Sequence, residues 1–228
     1  MLSTPTAHPA SHTLRAHLKV CCIRSEEEAS LAIELGATAL GLVAWMPSGP
    51  GVIQDEVIGR IAGWTPRHIA TFLLTSRTDA DGVCSHVLAA GVNTVQLVDA
   101  VGPDVYRALR ERAGGVRIVQ VIHVEDEASV DEALNAAPHI DALLLDSGRP
   151  KARVKELGGT GRTHDWSLSA RIVREAGKPV YLAGGLNPSN VREAIEQVRP
   201  YGIDLCSGVR VNGVLDRAKL SALVEEMR

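Results

Sequence analysis

The chain has 228 residues, 45% of them apolar, with a net charge of −3 and a pI of about 6.2. That length and apolar content suit one large α/β domain with a full core and exclude a disordered chain. With no basic tract, nucleic acid is a poor partner, and no apolar run approaches the roughly 18 residues of a membrane span.

Residues 1–17, "MLSTPTAHPASHTLRAH", lack the apolar segment of a signal peptide and are expected to form a flexible extension of a cytoplasmic protein. From Leu18 onward, short β-branched runs alternate with segments of helical periodicity. The strand-like runs are Leu18–Ile23, Ala39–Ala44, His68–Leu74, Thr94–Val98, Arg117–Val124, Asp141–Asp146, Pro179–Ala183 and Ile203–Cys206. The helical segments between and after them are Glu26–Leu35, Gln54–Ala62, Asp79–Ala90, Pro103–Arg112, Glu125–Ala136, Asp165–Ala176, Pro188–Val198 and Asp216–Met227, with apolar residues three and four apart. Ser25-x-x-Glu28 is a capping box, and Gly36, Gly91, Gly114 and Gly177 stand where helix-ending glycines belong.

Eight strand–helix units predict a single-domain (β/α)8 TIM barrel over residues 18–228. An open doubly wound sheet would place a glycine-rich fingerprint after its first strand, and "CCIRSEEE" is not one. In a barrel the chemistry lies where strands meet the following helices, so strand ends hold the candidates.

Strand alternation puts Lys19, Cys21 and Ile23 on one face and Val20 and Cys22 on the other. A lysine is out of place against the outer helices, so Cys21 is expected to face the mouth and Cys22 to pack outward. Thiols on opposite faces cannot share a metal; no Cys/His spacing suggests zinc, and four cysteines are not a disulfide framework. Asp146 closes the buried run "DALLLD" and is either catalytic or a loop cap. Asp204 should meet Lys19 across the seam between the last and first strands.

Three glycine-bearing loops follow: "LGGTGRTHDW", "LAGGLNPSN" and "CSGVR". Gly159, Thr160 and Gly161, Gly184 and Gly185, and Ser207 and Gly208 let backbone N–H groups crowd an anion, and barrels that bind phosphate do so after strands 7 and 8.

These residues resemble the phosphoribosylanthranilate isomerase family of tryptophan biosynthesis. Its signature stretches are matched by Lys19–Ile23, by Asp146–Ser147 with Gly158–Trp166, by Ala183–Val191 and by Asp204–Arg210. The resemblance implies a (β/α)8 barrel without cofactor or metal, acting on a small phosphorylated sugar as a monomer or homodimer. It also implies an Amadori rearrangement of a phosphoribosylamine to a 1-amino-1-deoxyribulose 5-phosphate. By match, Asp146 is the general acid on the furanose oxygen and Cys21 the base that takes the C2′ proton. A carboxyl in a dry mouth stays protonated, and a thiolate beside a cationic imine is favoured.

The departures fall at the other end of the substrate. No arginine stands in Ser48–Gly51, where the family grips the anthranilate carboxylate, and Val98-Asp99 replaces a histidine and glycine. Cys22 replaces a glycine, and Cys206 a serine. Gln96, His123 and Arg24 are candidate substrate contacts; His123 is otherwise a rim histidine, and Arg24 and Arg210 are otherwise solvated. His164 is expected to help start the sixth helix. The alternatives to the family reaction are a related isomerase acting on another phosphorylated sugar or aminosugar, and a non-catalytic phosphometabolite binder.

Overall fold

The structure is a computed structural model that describes residues 14–148 and 163–228. Eight parallel strands close on themselves: β1 (His17–Val20), β2 (Ala39–Val43), β3 (Ala70–Thr75), β4 (Thr94–Leu97), β5 (Arg117–His123), β6 (Ala142–Asp146), β7 (Val180–Leu182) and β8 (Gly202–Leu205). β8 returns to β1 in the register Lys19↔Asp204 and Val20↔Leu205, so no sheet edge is left open. The barrel fold expected from the alternation is the fold observed.

Helices α1 (Glu26–Glu34), α2 (Asp55–Trp64), α3 (Ala80–Ala90), α4 (Pro103–Arg112), α5 (Ala128–Ala136), α6 (Trp166–Glu175), α7 (Val191–Val198) and α8 (Arg217–Glu226) follow the strands in turn. Ser25 Oγ accepts the Glu28 N–H at 3.3 Å, the N-cap half of the expected capping box, while the Glu28 carboxylate accepts the Arg24 N–H at 3.0 Å in place of that of Ser25. Gly36, Gly91 and Gly177 take positive φ after their helices. Gly114 does not, and a left-handed Arg199 ends α7, so those two boundaries differ from expectation.

Side-chain alternation divides the apolar residues into two layers. Leu18, Val20, Leu40, Leu42, Leu143, Leu145 and Ile203 pack outward against the helices. Ala39, Val43, Phe72, Leu74, Val119, Val121, Leu144 and Tyr181 fill the barrel. Ala16 and Leu14 join the outer layer, so the ordered fold begins slightly before Leu18.

Lys19 is fully buried in the barrel and pairs with Asp204 at 2.8 Å, with its ammonium 5.0 Å from the Phe72 ring centroid. The pair forms as strand parity required. Burial opposes the lysine's charge, yet Asp204 together with the nearby Cys21 and Cys22 outweighs it and holds Lys19 above its ordinary pKa. Burial likewise pushes Asp204 up, against the pull of Lys19. The pair is a polar floor beneath the mouth.

Candidate active site

Above that floor a cavity of about 720 Å³, including its open mouth, is formed at the C-terminal ends of the strands. Cys21 and Asp146 both line it, joined by Gln96, Gly184, Gly185, Ser207 and Gly208. Its remaining wall is largely apolar: Val43, Met46, Pro50, Leu74, Val98, Val121 and Leu144. A concave, mostly apolar site with a few convergent polar groups is what a small-molecule enzyme needs.

Asp146 is the last residue of β6 and points inward, where only 8% of its surface is exposed. One carboxylate oxygen accepts the Ser147 N–H at 2.8 Å. Burial pushes its pKa up; nearby His123, the Ser147 amide and Lys19 pull the other way without reversing it, while Asp204 adds to the rise. Desolvation of the charged form wins, which favours the neutral carboxyl relative to an exposed aspartate.

Cys21 follows β1, and its N–H donates to the Leu205 carbonyl at 2.7 Å. Its place depends on Gly41 in β2. A Cβ at Gly41 would lie 2.8 Å from Cys21 Sγ and 3.0 Å from its Cα. A strand-interior glycine marks such a close approach, and this one carried a signal that the sequence reading passed over.

Cys22 departs from expectation. Its φ is +62°, so the chain leaves extended geometry there and strand alternation fails. The Cys22 side chain turns into the mouth rather than outward, and Ile23, not Cys22, packs against the helices. Cys22 Sγ lies 2.7 Å from Cys206 Sγ and 3.5 Å from the Pro50 carbonyl oxygen. All four cysteines are free thiols.

Arg210 corrects a second expectation, because it is buried rather than solvated. One guanidinium nitrogen donates to the carbonyls of Cys21 (3.0 Å) and Cys22 (2.7 Å), while the other meets Glu28 at 2.9 Å and the Gly213 carbonyl at 3.1 Å. Arg210 thus pins the left-handed turn that carries Cys21. Only the helix-start glutamate, Glu28, hinted at such a partner. Arg24 is exposed and is not among the pocket-lining residues; the side chain reaches toward Gly213.

Gln96 reaches the pocket with a buried Oε1 that has no hydrogen-bond partner among the described residues. His123 is paired with Asp146 in the β5–β6 register, and its Nε2 lies 3.2 Å from the Val98 carbonyl oxygen. Its Nδ1 is buried without a partner, and the side chain flanks Asp146 outside the lined cavity. His164 Nε2 meets Ser169 Oγ at 2.7 Å across the first turn of α6. Burial holds that imidazole neutral, with a pKa lowered to about 4.

On the β7–β8 side, Gly184 and Gly185 have φ of +84° and +65°. The Gly185 carbonyl accepts the side-chain amides of Asn187 and Asn190, both at 3.1 Å, which fixes the turn. A Cβ at Gly208 would run into the Leu186 carbonyl oxygen, and one at Gly184 would lie 2.9 Å from Ser147 Oγ. The two loops therefore approach each other as bare backbone. Gly159, Thr160 and Gly161 lie outside the described residues.

On the β2 side, a Cβ at Gly51 would fall 2.5 Å from Cys22 Cβ, and Gly51 has φ of +82°. Among the described residues lining the cavity there is no lysine, arginine or histidine. No helix of the described residues is long and apolar enough to cross a membrane, and among them no cluster of three or more His, Cys, Asp or Glu side chains suits a metal ion.

A closed (β/α)8 barrel with a thiol and a buried carboxyl facing one apolar mouth has the form of a small-molecule barrel enzyme. The family profile for N-(5'phosphoribosyl)anthranilate (PRA) isomerase matches residues 18–226, and the chain belongs to that family. It is 34% identical to N-(5'-phosphoribosyl)anthranilate isomerase 2 of Methanosarcina mazei, over 92% of this chain and 93% of the relative. It is also 34% identical to the Haloferax volcanii isomerase, over 91% of this chain and 90% of that one. Among solved structures, phosphoribosyl anthranilate isomerase from Thermococcus kodakaraensis superposes with a TM-score of 0.79 at 28% identity, covering 93% of this chain and 99% of that one. A family structure holding reduced 1-(o-carboxyphenylamino)-1-deoxyribulose 5-phosphate matches with a TM-score of 0.74 at 26% identity, covering 93% and 98%.

Proposed function

We propose that this protein catalyses the Amadori rearrangement of an N-substituted phosphoribosylamine to the 1-amino-1-deoxyribulose 5-phosphate. The observation that carries the reading is the joint placement of Cys21 and buried Asp146, whose pKa burial pushes up, on one apolar cavity. Asp146 gives its proton to the furanose ring oxygen as the C1′–O bond breaks, leaving an iminium at C1′. Cys21, as thiolate, then removes the C2′ proton, and the electron pair moves to neutralise the iminium as an enolamine. Tautomerisation of the enolamine gives the ketose. Each step is a proton transfer to or from a held group.

Gly184, Gly185, Ser207 and Gly208 take the phosphate, and the family resemblance adds Gly159, Thr160 and Gly161 to them. Left-handed backbone and glycine-only approach on the β7–β8 side support this assignment, since they leave main-chain N–H groups close to an anion. Gln96, through its unpartnered Oε1, is available to a sugar hydroxyl or the substrate N–H. Purified protein incubated with phosphoribosylanthranilate should convert it, with loss of the substrate's fluorescence tracking turnover. Absence of conversion there and with other phosphoribosylamines would refute the reading.

A second reading, with the same chemistry on a different amine, is favoured by one observation. The amine side of the cavity is Val43, Met46, Pro50, Leu74 and Val98, and the described lining offers a carboxylate no cation. A carboxylate without a charged partner binds poorly. Comparing phosphoribosylanthranilate with the N-phenyl phosphoribosylamine that lacks the carboxylate decides between them. A higher kcat/KM for the N-phenyl compound supports the second reading, and a higher value for the carboxylated one refutes it.

A further inference from the structure

Cys22 and Cys206 are used by no step above, yet they stand together at the wall of the cavity. Their sulfurs are 2.7 Å apart, against the separation of about 2.05 Å of a formed disulfide. The backbone already brings them into range. Val20 pairs with Leu205 across the β1–β8 seam, which sets Cys206 opposite Cys21 in register and Cys22 one residue beyond it. The left-handed φ of Cys22 aims its side chain across that seam instead of into the outer layer. Arg210 fixes this conformation by binding the carbonyls of both Cys21 and Cys22.

We infer that Cys22 and Cys206 form a reversible oxidation site at the mouth of the barrel, taking two-electron thiol oxidants of the hydroperoxide class. Cys206 is partly exposed and Cys22 is buried, which makes Cys206 the attacking sulfur. Either sulfur can donate across the 2.7 Å contact; with Cys22 donating, the Cys206 thiolate is favoured and Cys22 stays the thiol. The Cys206 sulfur attacks one peroxide oxygen, the O–O bond breaks, and a sulfenic acid forms with release of water. The Cys22 sulfur then displaces that hydroxyl, which leaves as a second water carrying the thiol proton. Two thiols lose two electrons and two protons, and one hydrogen peroxide becomes two waters.

The bond ties the turn that carries Cys21 to the turn that begins Ser207-Gly208. Closing the sulfurs moves both turns by a fraction of an ångström, and misplacing a reacting group by about 1 Å costs about 10²-fold in rate. The effect on turnover rests on the proposed reaction, whereas the cross-link itself does not.

The test oxidises the full-length protein with stoichiometric hydrogen peroxide, blocks remaining thiols and maps tryptic peptides without reduction. The expected product joins the Val20–Arg24 peptide to the Glu193–Arg210 peptide, with loss of two hydrogens. It should form in the wild type and in Cys21→Ser, and be absent from Cys22→Gly and from Cys206→Ser. In parallel, turnover of the oxidised wild type should fall tenfold or more and return with a dithiol reductant, each protein being compared with its own untreated rate. A link that persists in Cys22→Gly would make Cys21 the partner and overturn the assignment. So would sulfinic or sulfonic acid on Cys21 without any link, or a linked protein that keeps its full rate. Should the proposed reaction fail, the peptide map still decides the site.

Discussion

On the β7–β8 side the cavity surface is backbone, set by Gly184, Gly185 and Gly208, whereas on the β2–β4 side it is side chain: Val43, Met46, Pro50, Leu74 and Val98. The two sides face different demands. A phosphate can be held by main-chain N–H groups, which only glycine-rich turns bring close enough. The amine partner is read by the size and charge of side chains, which change without disturbing the turns. In the proposed reaction, Cys21 and Asp146 between them act on the part of the substrate common to any phosphoribosylamine.

The largest effects should come from the centre that both sides serve. Cys21→Ser and Asp146→Asn are each expected to lower kcat by roughly 10²–10⁴, the contribution of one proton-transfer group, in a steady-state assay. Arg210→Met should act first on stability. It leaves Glu28 without its buried partner, and breaking such a pair costs about 3–5 kcal/mol, readable by urea denaturation.

Next comes the backbone side. Gly185→Val forces a β-branched residue to φ of +65°, so KM for a phosphorylated substrate should rise about tenfold or more while the barrel stays folded. The same substitution should leave the preference between amines unchanged, which separates the two sides. On the opposite side, Cys22→Gly removes the Cβ that crowds Gly51 and should spare the acid–base chemistry. In that background Gly51→Arg escapes the Cys22 Cβ contact but keeps the strain of φ +82°, so it should lower stability while shifting preference toward the carboxylated amine several-fold.

The smallest effect is a pH dependence of stability. Burial raises the folded-state pKa of Asp146 above its unfolded value, so its contribution is full at low pH and is lost as pH rises through the folded value. Asp146→Asn has no charge to bury. Its stability relative to wild type should therefore improve as pH rises, although its activity is lost.

The barrel was legible because eight strand–helix periods repeat and strand parity already placed Lys19, Cys21 and Asp204 inward. Asp146 was legible as a carboxylate ending an apolar run. Cys22 was misread because alternation assumes extended backbone, and a non-glycine residue at φ of +62° gives no local sign of itself. Arg210 was misread because a charged residue past a strand is usually solvated; its burial follows from Glu28, which is 182 positions away in sequence. Gly41 did carry a sign, a glycine inside a strand, but the side chain it leaves room for, Cys21, stands on the neighbouring strand and is not named by it.

The most direct test follows release of the C2′ hydrogen from a C2′-deuterated phosphoribosylamine by wild type and Cys21→Ser under saturating substrate. Wild type should release deuterium to solvent during turnover, and Cys21→Ser should do so roughly 10²–10⁴ times more slowly while still binding the phosphosugar. Equal release rates in the two proteins would contradict Cys21 as the base and the chemistry built on it.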